Sequence, residues 1–347
     1  MQSIPKKILV FRLSAMGDVA MTVPVLSSLA KEYEVQLLML TTQAFAPMFS
    51  GIPNLTIFSI DKKGRHKGVL GLFRLFGDLK KENPDAVADL HDVLRTKFLR
   101  MCFSVSGVKT AFINKGRAEK KALIKKGKNQ SVALKLTPER YKDVFKEFGF
   151  QFDIKFNSIF SSKPTLSKVF IESFGEKTGK WIGIAPFAKH KGKLYPLDKM
   201  EKVIDLINTQ NEIKVFLFGN GMQEEKVMLD WQKKYTCVNL IPKTANLTEE
   251  LNLMSHLDLM LSMDSANMHL ASLVGLPVIS IWGATHYYAG FLGWNQSVEN
   301  IMEIDLVCRP CSIYGNVDCK RKDYACLQQI NPEQIYQKIQ GLLKNKN

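Results

Sequence analysis

From residue 7 onward, apolar runs of strand length alternate with segments of helical periodicity, and the alternation covers almost the whole chain. The strand candidates are "KILVFRL" (7–13), "VQLLML" (35–40), "LTIFSI" (55–60), "DAVADL" (85–90) and "VKTAFI" (108–113). After a break they resume at "WIGIAP" (181–186), "KVFLFG" (214–219), "TCVNL" (236–240), "DLMLS" (258–262) and "PVISIWG" (277–283). The intervening helices include 19–33, 69–82, 93–104, 197–208, 221–234 and "TEELNLMSHL" with a threonine cap. Runs that are apolar throughout, separated by helices, predict parallel sheets covered on both faces.

The rhythm fails over about 151–178, where polar and aromatic residues and a proline intervene. At roughly 100–200 residues per domain, 347 residues suit two such units. The expected division is 1–155, a linker at 156–178, a second unit at 179–330 and a C-terminal helix at 331–347. In open α/β sheets ligands gather beyond the carboxyl ends of the strands. Two doubly wound, Rossmann-like sheets facing across a cleft would hold a donor on one side and an acceptor on the other. Neither carries G-x-G-x-x-G after a strand, so the dinucleotide fingerprint is missing.

The apolar runs fall short of the ~20 residues that span a bilayer, and "MQSIPKKILVF" has no signal-peptide core. The expected location is the cytoplasm. The net charge of +15 suits nucleic acid, anionic lipid or a phosphorylated substrate. The bases concentrate at 61–68 ("DKKGRHKG") and 114–128 ("NKGRAEKKALIKKGK"), both in the first half, with few aromatics among them. That scarcity weighs against single-stranded nucleic acid. Solvated loops are the plain alternative.

Cys102 and Cys237 lie in apolar surroundings and read as core residues. Cys308, Cys311, Cys319 and Cys326 cluster as C-x2-C-x7-C-x6-C, irregular for a zinc ribbon. Structural zinc and free thiols in a surface loop both remain open.

Three stretches offer chemistry. "SAMGD" joins the first strand to the first helix, with Asp18 either an N-cap or a base at the cleft. In "SMDSANMHLASLVG" a strand ends at Asp264-Ser265 and a helix starts, which is a ready anion site. Asp264 is a cap, a ribose acceptor or an orienter of amides. His269 either reaches a phosphate or is packed. "AKHKGKLYP" places Lys189, His190, Lys191 and Lys193 at a strand end, where they either neutralise a diphosphate or are solvated.

Together these stretches resemble glycosyltransferase family 9, the ADP-heptose:lipopolysaccharide heptosyltransferases. "FRLSAMGDVAMTVPVL" is similar to the family's N-terminal pattern, with Arg12, Ser14, Gly17, Asp18 and Pro24 in place. "DSANMHLASLVGLPVISIWGAT", about 250 residues on, is similar to its C-terminal pattern. The cysteine-bearing tail resembles that of some members. The resemblance implies a GT-B fold, with the acceptor on the first domain and the ADP-sugar on the second. It implies inverting transfer of heptose to a Kdo or heptose of the lipopolysaccharide core, with no cofactor or metal required and ADP-sugar as co-substrate. Asp18 would be the base. Lys193, Asp264, Ser265, Ala266 and His269 would bind the donor, and Ser14, Gly17, His91 and Arg95 the acceptor.

Two positions depart from the pattern. Ala266 replaces a glycine. Gly221 stands about where some members carry a ribose-binding glutamate, and Glu224 or Glu225 would substitute. The basic loops would then hold the enzyme peripherally at the inner face of the cytoplasmic membrane, near a lipid A–like anionic acceptor, by charge and with no inserted segment. A same-fold transferase with another nucleotide sugar or surface-glycan acceptor is the nearest alternative. A non-catalytic nucleic-acid-binding protein is a more distant one, since it leaves Asp18 and "DSANMH" unexplained. Oligomeric state is not readable from the sequence.

Overall fold

The computed structural model describes residues 4–127, 132–210 and 212–344. The chain forms two compact units, Met1–Lys115 with Leu136–Ile159, and Gly116–Lys135 with Phe160–Asn347.

The first unit holds β1 (Lys7–Phe11), β2 (Gln36–Thr41), β3 (Leu55–Ser59), β4 (Ala86–Asp89) and β5 (Lys109–Phe112). They form one sheet in the order β3-β2-β1-β4-β5, with every pairing parallel. Ile8 through Phe11 are fully buried, as expected of a strand covered on both faces. The expected helix at 19–33 is two helices, α1 (Met16–Ala20) and α2 (Val23–Glu32). Pro24 sits in the first turn of α2. A proline there has no N–H to continue the ladder, and its ring would clash with the carbonyl four residues back, so the helix restarts. α3 (Gly68–Lys80) and α4 (Leu94–Val105) follow β3 and β4. They pack on the sheet through Leu75, Leu79, Leu99 and Phe103.

The second unit holds β6 (Lys180–Ala185), β7 (Ile213–Leu217), β8 (Val238–Leu240), β9 (Leu259–Met263), β10 (Val278–Ile281) and the short β11 (Ile301–Met302), which sequence periodicity missed. Its order is β11-β10-β9-β6-β7-β8, again all parallel. Both sheets therefore have the doubly wound order in which the chain reverses direction beside its first strand. The switch points are β1/β4 and β6/β9.

Three boundaries differ from expectation. α5 (Arg117–Lys126) belongs to the second unit, although the run 114–128 lies in the first half of the sequence. Leu123 packs with Ala289 and Ile313, and the Lys120 ammonium lies 4.2 Å over the Phe291 ring. Lys120 is therefore buried, not a surface charge; Lys128 of that run lies outside the described residues. The chain returns to the first unit with α6 (Thr137–Lys146). The expected linker 156–178 contains α7 (Lys168–Phe174), whose Phe174 ring meets Phe216 edge-on at 5.1 Å.

The remaining helices are α8 (Leu197–Asn208), α9 (Met222–Lys234), α10 (Leu247–His256), α11 (Ala266–Leu273), α12 (Ala325–Gln328) and α13 (Pro332–Lys344). α10 is capped by Asn246 rather than a threonine. Its side chain accepts from the Thr248 and Glu249 amides, and Glu249 accepts from the Asn246 amide in return. α13 places Ile335, Ile339 and Leu343 in the second unit's core, so it is part of that unit; residues 345–347 lie outside the described residues. Among the described residues no helix is long and apolar enough to cross a membrane.

Candidate functional site

In the first unit the polar groups gather at the carboxyl ends of β1 and β4, the switch point. Asp18 is not the N-cap: it lies inside α1, whose N-cap is Ala15, and reaches back to accept the Ala15 amide at 3.3 Å. The same oxygen, Oδ2, lies 2.6 Å from Nη2 of Arg12. Arg12 is itself buried. Its Nη1 donates to the Leu90 carbonyl at 2.7 Å, and its guanidinium sits 5.9 Å from the centre of the Tyr141 ring. The Tyr141 hydroxyl donates to the Asp18 carbonyl at 3.3 Å. Asp18 is thus fixed through one oxygen. Its side chain stays 32% exposed, and Oδ1 takes no hydrogen bond among the described residues.

His91 closes the other side of the switch point. Its Nδ1 accepts the Leu13 amide at 3.4 Å, and its own amide donates to the buried Asp89. Burial first, then Arg12 and Lys115, push the imidazolium down to about 4, with Asp18 opposing. The ring is therefore neutral near pH 7 and able to accept that hydrogen bond. Burial raises the Asp89 carboxyl, against the pull of the His91 and Asp92 amides and of Arg100, whose Nη1 is 3.0 Å away. Ser14 is exposed, and Gly17 and Arg95 are half-buried. Burial, helped by the nearby charge of Arg95, lowers the Lys62 ammonium, which donates to the Leu13 carbonyl at 3.4 Å. Ser14, Gly17, Asp18, His91 and Arg95 thus all belong to the loops and helix starts at this edge.

In the second unit the corresponding edge is that of β6 and β9. Lys193 ends a 3-10 turn, Lys191–Lys193, and its Nζ lies 2.8 Å from Oδ2 of the buried Asp264. Lys189 and Lys191 are exposed, so the structure separates Lys193 from its basic neighbours. Ser265 occupies the N-cap position of α11 without a side-chain capping bond, and its hydroxyl is 3.2 Å from that of Ser262. Ser265 and Ala266 are half-buried at the start of α11, where backbone amides point out along the axis, a geometry that favours negative charge. His269, on the same helix, is 6% exposed. Of the acids near Gly221, Glu224 accepts the Asn220 amide at 2.7 Å and Glu225 pairs with Lys243.

Sequence reasoning missed what shapes this edge. A Cβ at Gly192 would stand 2.9 Å from Ala284 Cβ and 2.9 Å from the Gly315 carbonyl. One at Gly315 would stand 2.6 Å from Lys193 Cγ. The cysteine-bearing tail thus forms the wall against which Lys193 lies. That tail is tied down by Arg309, which is buried and donates to the carbonyls of Trp282, Gly283, Thr285 and Ile304 and to Glu303. The signals were the Arg-Pro pair inside "CRPC" and the Gly-Asn turn of "YGNVDC". All four tail cysteines are unbridged: Cys308 is exposed, Cys311 and Cys319 are half-buried and Cys326 is buried. Burial pushes the Cys326 thiol up to about 11. Among the described residues no group of three or more His, Cys, Asp or Glu is arranged to hold a metal. Cys237 is buried, whereas Cys102 is only half-buried on α4.

The model of glycosyltransferase family 9 (heptosyltransferase) matches residues 72–320. Lipopolysaccharide core heptosyltransferase OpsX of Haemophilus influenzae is 25% identical over 291 residues, 80% of this chain and 79% of that protein. Lipooligosaccharide heptosyltransferase 2 of Campylobacter jejuni is 22% identical over 340 residues, covering 96% of this chain and 97% of its own. The solved ADP-heptose lipopolysaccharide heptosyltransferase II of E. coli superposes with a TM-score of 0.72 at 15% identity, covering 98% of this chain and 99% of its own. At that identity the likeness shows the fold, a GT-B pair of parallel-sheet domains.

Proposed function

Because the chain belongs to glycosyltransferase family 9 and is a glycosyltransferase, we propose that it moves a heptose from ADP-heptose to the core of a lipopolysaccharide, with inversion. The observation that carries this reading is Asp18 at the switch point of the first sheet. One oxygen is anchored on Arg12, and the other is open to a hydroxyl.

In the proposed reaction the acceptor hydroxyl gives its proton to Asp18 as its oxygen attacks the anomeric carbon. The bond from that carbon to the ADP oxygen breaks, and ADP leaves with the electron pair. Positioned bases contribute about 10²–10⁴-fold. The developing charge on ADP needs preorganised donors. Lys193, the amides at the start of α11 and His269 fill that role, with Ser265 and Ala266 beside the phosphates. Lys193 is paired with Asp264. Donor binding exchanges that carboxylate for diphosphate, leaving Asp264 to the ribose or to the helix amides. No metal is required on this reading.

Ser14, Gly17, His91 and Arg95, with Lys62, form the acceptor edge, and their positive balance suits an anionic, phosphorylated saccharide. A lipid-borne acceptor places the enzyme peripherally at the inner face of the cytoplasmic membrane.

The deciding experiment incubates the purified chain with a panel of nucleotide sugars and lipid A–core acceptors. Mass spectrometry reads the product and NMR its anomeric configuration. An added heptose with inverted configuration, formed from ADP-heptose alone, supports the reading. Transfer from a UDP- or GDP-sugar, or retention of configuration, overturns it.

A further inference from the structure

The solvent face of α3 is apolar over its first two turns, where such a face is ordinarily polar, and carries the exposed Arg74 and Lys80 beyond them. Gly71, Leu75 and Leu79 turn inward, while Val69, Leu70 and Phe73 lie on the opposite side of the helix and point out. On α4, Leu94, Met101 and Val105 form a second outward stripe at helical spacing, with the half-buried Phe98 along the same side. Val69, Leu70, Phe73, Leu94, Met101 and Val105 are between 53% and 89% exposed. The two stripes join, because the Phe73 and Phe98 rings meet edge-on at 5.0 Å. Exposed apolar side chains scattered singly need no explanation; a contiguous patch across two helices does.

We propose that this face is a membrane-docking surface, on which Val69, Leu70 and Phe73 enter the acyl boundary of an anionic leaflet while the surrounding bases engage its headgroups. Residues 61–81 and 92–105 together hold ten lysines and arginines against three acids, Asp61, Asp78 and Asp92; Arg65 and Lys81 meet Asp78, Lys97 and Arg100 meet Asp92, and the balance stays strongly positive. An apolar stripe set among lysines and arginines is the chemistry of an interfacial helix. The cores of protein interfaces are depleted of charge instead, yet Lys97 stands within the α4 stripe, between Leu94 and Met101. A second copy of this chain is disfavoured for another reason. Two-fold pairing brings a patch against itself, which would oppose two like-charged faces.

The placement also fits the reaction. α3 and α4 both begin at the carboxyl edge of their sheet, so Val69 and Leu94 lie at the end of the unit where Asp18 and His91 stand. A leaflet on this face delivers a lipid-linked saccharide to that edge. The inference rests on the proposed reading only for the nature of the acceptor. It replaces attachment by charge alone with attachment by charge and insertion.

The test uses the full chain and vesicles free of any saccharide acceptor, either pure phosphatidylcholine or phosphatidylcholine with about a third phosphatidylglycerol. Wild type should co-sediment with the anionic vesicles and keep measurable binding at about 0.5 M salt, where the Debye length shrinks to a few ångströms. The triple variant V69S/L70S/F73S, whose side chains support no core, should partition at least about tenfold more weakly. It should keep its melting temperature and its kcat/KM on a deacylated, water-soluble acceptor. In a Phe73→Trp variant, the fluorescence added over wild type should shift to the blue on vesicles and be quenched by brominated acyl chains.

Wild-type binding that high salt abolishes overturns insertion. So does a bound Phe73→Trp variant whose added fluorescence the brominated chains leave unquenched. A wild-type dimer that the triple variant dissociates assigns the face to a second copy instead. If vesicle binding behaves as stated while no sugar is transferred to any acceptor, the functional reading fails and this inference stands.

Discussion

Arg12 holds Asp18 by a single oxygen: Nη2 stands 2.6 Å from Oδ2, and Arg12 is itself locked into the interior by the Leu90 carbonyl. A carboxylate so placed is oriented by its neighbour without being consumed by it. Replacing Asp18 by Asn keeps the shape and removes the proposed base. Turnover should fall by about 10²–10⁴-fold while ADP-sugar affinity stays within about twofold. Steady-state kinetics with calorimetry checks both. A variant that keeps more than about a third of wild-type turnover would assign Asp18 to supporting α1.

In the proposed reaction Lys193 meets the diphosphate in the ground state and more strongly in the transition state, so Lys193→Ala should weaken ADP binding and lower kcat together. Loss of a charge-assisted contact is worth about 1.5–3 kcal/mol, or roughly 10–100-fold. Unchanged ADP affinity by calorimetry would move the phosphate site to another cation of the loop, Lys189 or Lys191.

A metal-free reaction should be indifferent to chelation. Prolonged EDTA treatment followed by gel filtration should leave kcat within about twofold of the untreated enzyme, because the proposed reaction gives the leaving-group charge to Lys193 and the α11 amides. Loss of activity that Mg²⁺ or Mn²⁺ restores would contradict it.

His91 makes stability depend on pH. Its folded pKa lies below the ordinary 6.5, so between 6.5 and about 4 the unfolded chain binds the proton and the folded chain does not. Stability from this group is fully present above 6.5 and is lost as pH falls toward 4. The loss by pH 5 is about 2 kcal/mol. Denaturant titrations of wild type and His91→Gln at pH 7 and pH 5 measure it. The variant should lose less on acidification, and equal losses would reject the assignment.

Gly315→Ala should act on Lys193 at a distance in sequence. Gly315 has φ +74°, and the new Cβ would lie 2.6 Å from Lys193 Cγ. Strain and overpacking of about 1–3 kcal/mol are expected, with weaker ADP binding. Gly341→Ala is the control. Nothing lies within 4 Å of its Cβ, and it sits inside α13, where alanine stabilises by about 0.5–1 kcal/mol. Thermal melts and ADP titrations of the two variants separate the effects. A Gly315→Ala enzyme with wild-type ADP affinity would remove the tail from the donor site.

The parallel strands were legible because fully buried strands read as unbroken apolar runs, and Asp18 and Asp264 were legible as candidates because they follow the ends of such runs; strand-end position left Lys193 among four basic neighbours, and the family resemblance singled it out. Three other features depended on where distant segments come to rest. The helix α5 looked like a surface charge cluster, but the side on which it is buried is set by Leu123 meeting Ala289 and Ile313 from the far end of the chain. The cysteine tail read as either a zinc site or a surface loop, and what ties it down is Arg309, which finds its carbonyl partners only once β10 has placed them. Nor does an apolar residue announce whether a neighbour covers it. Leu75 and Phe73 are two residues apart on one helix, and only the packed sheet made the first a core residue and left the second to face outward. Periodicity along the chain is a local property, so the sequence determined the alternation, the strand ends and the chemistry available there. Burial depends on contacts made across the chain, and that is where the tertiary structure decided.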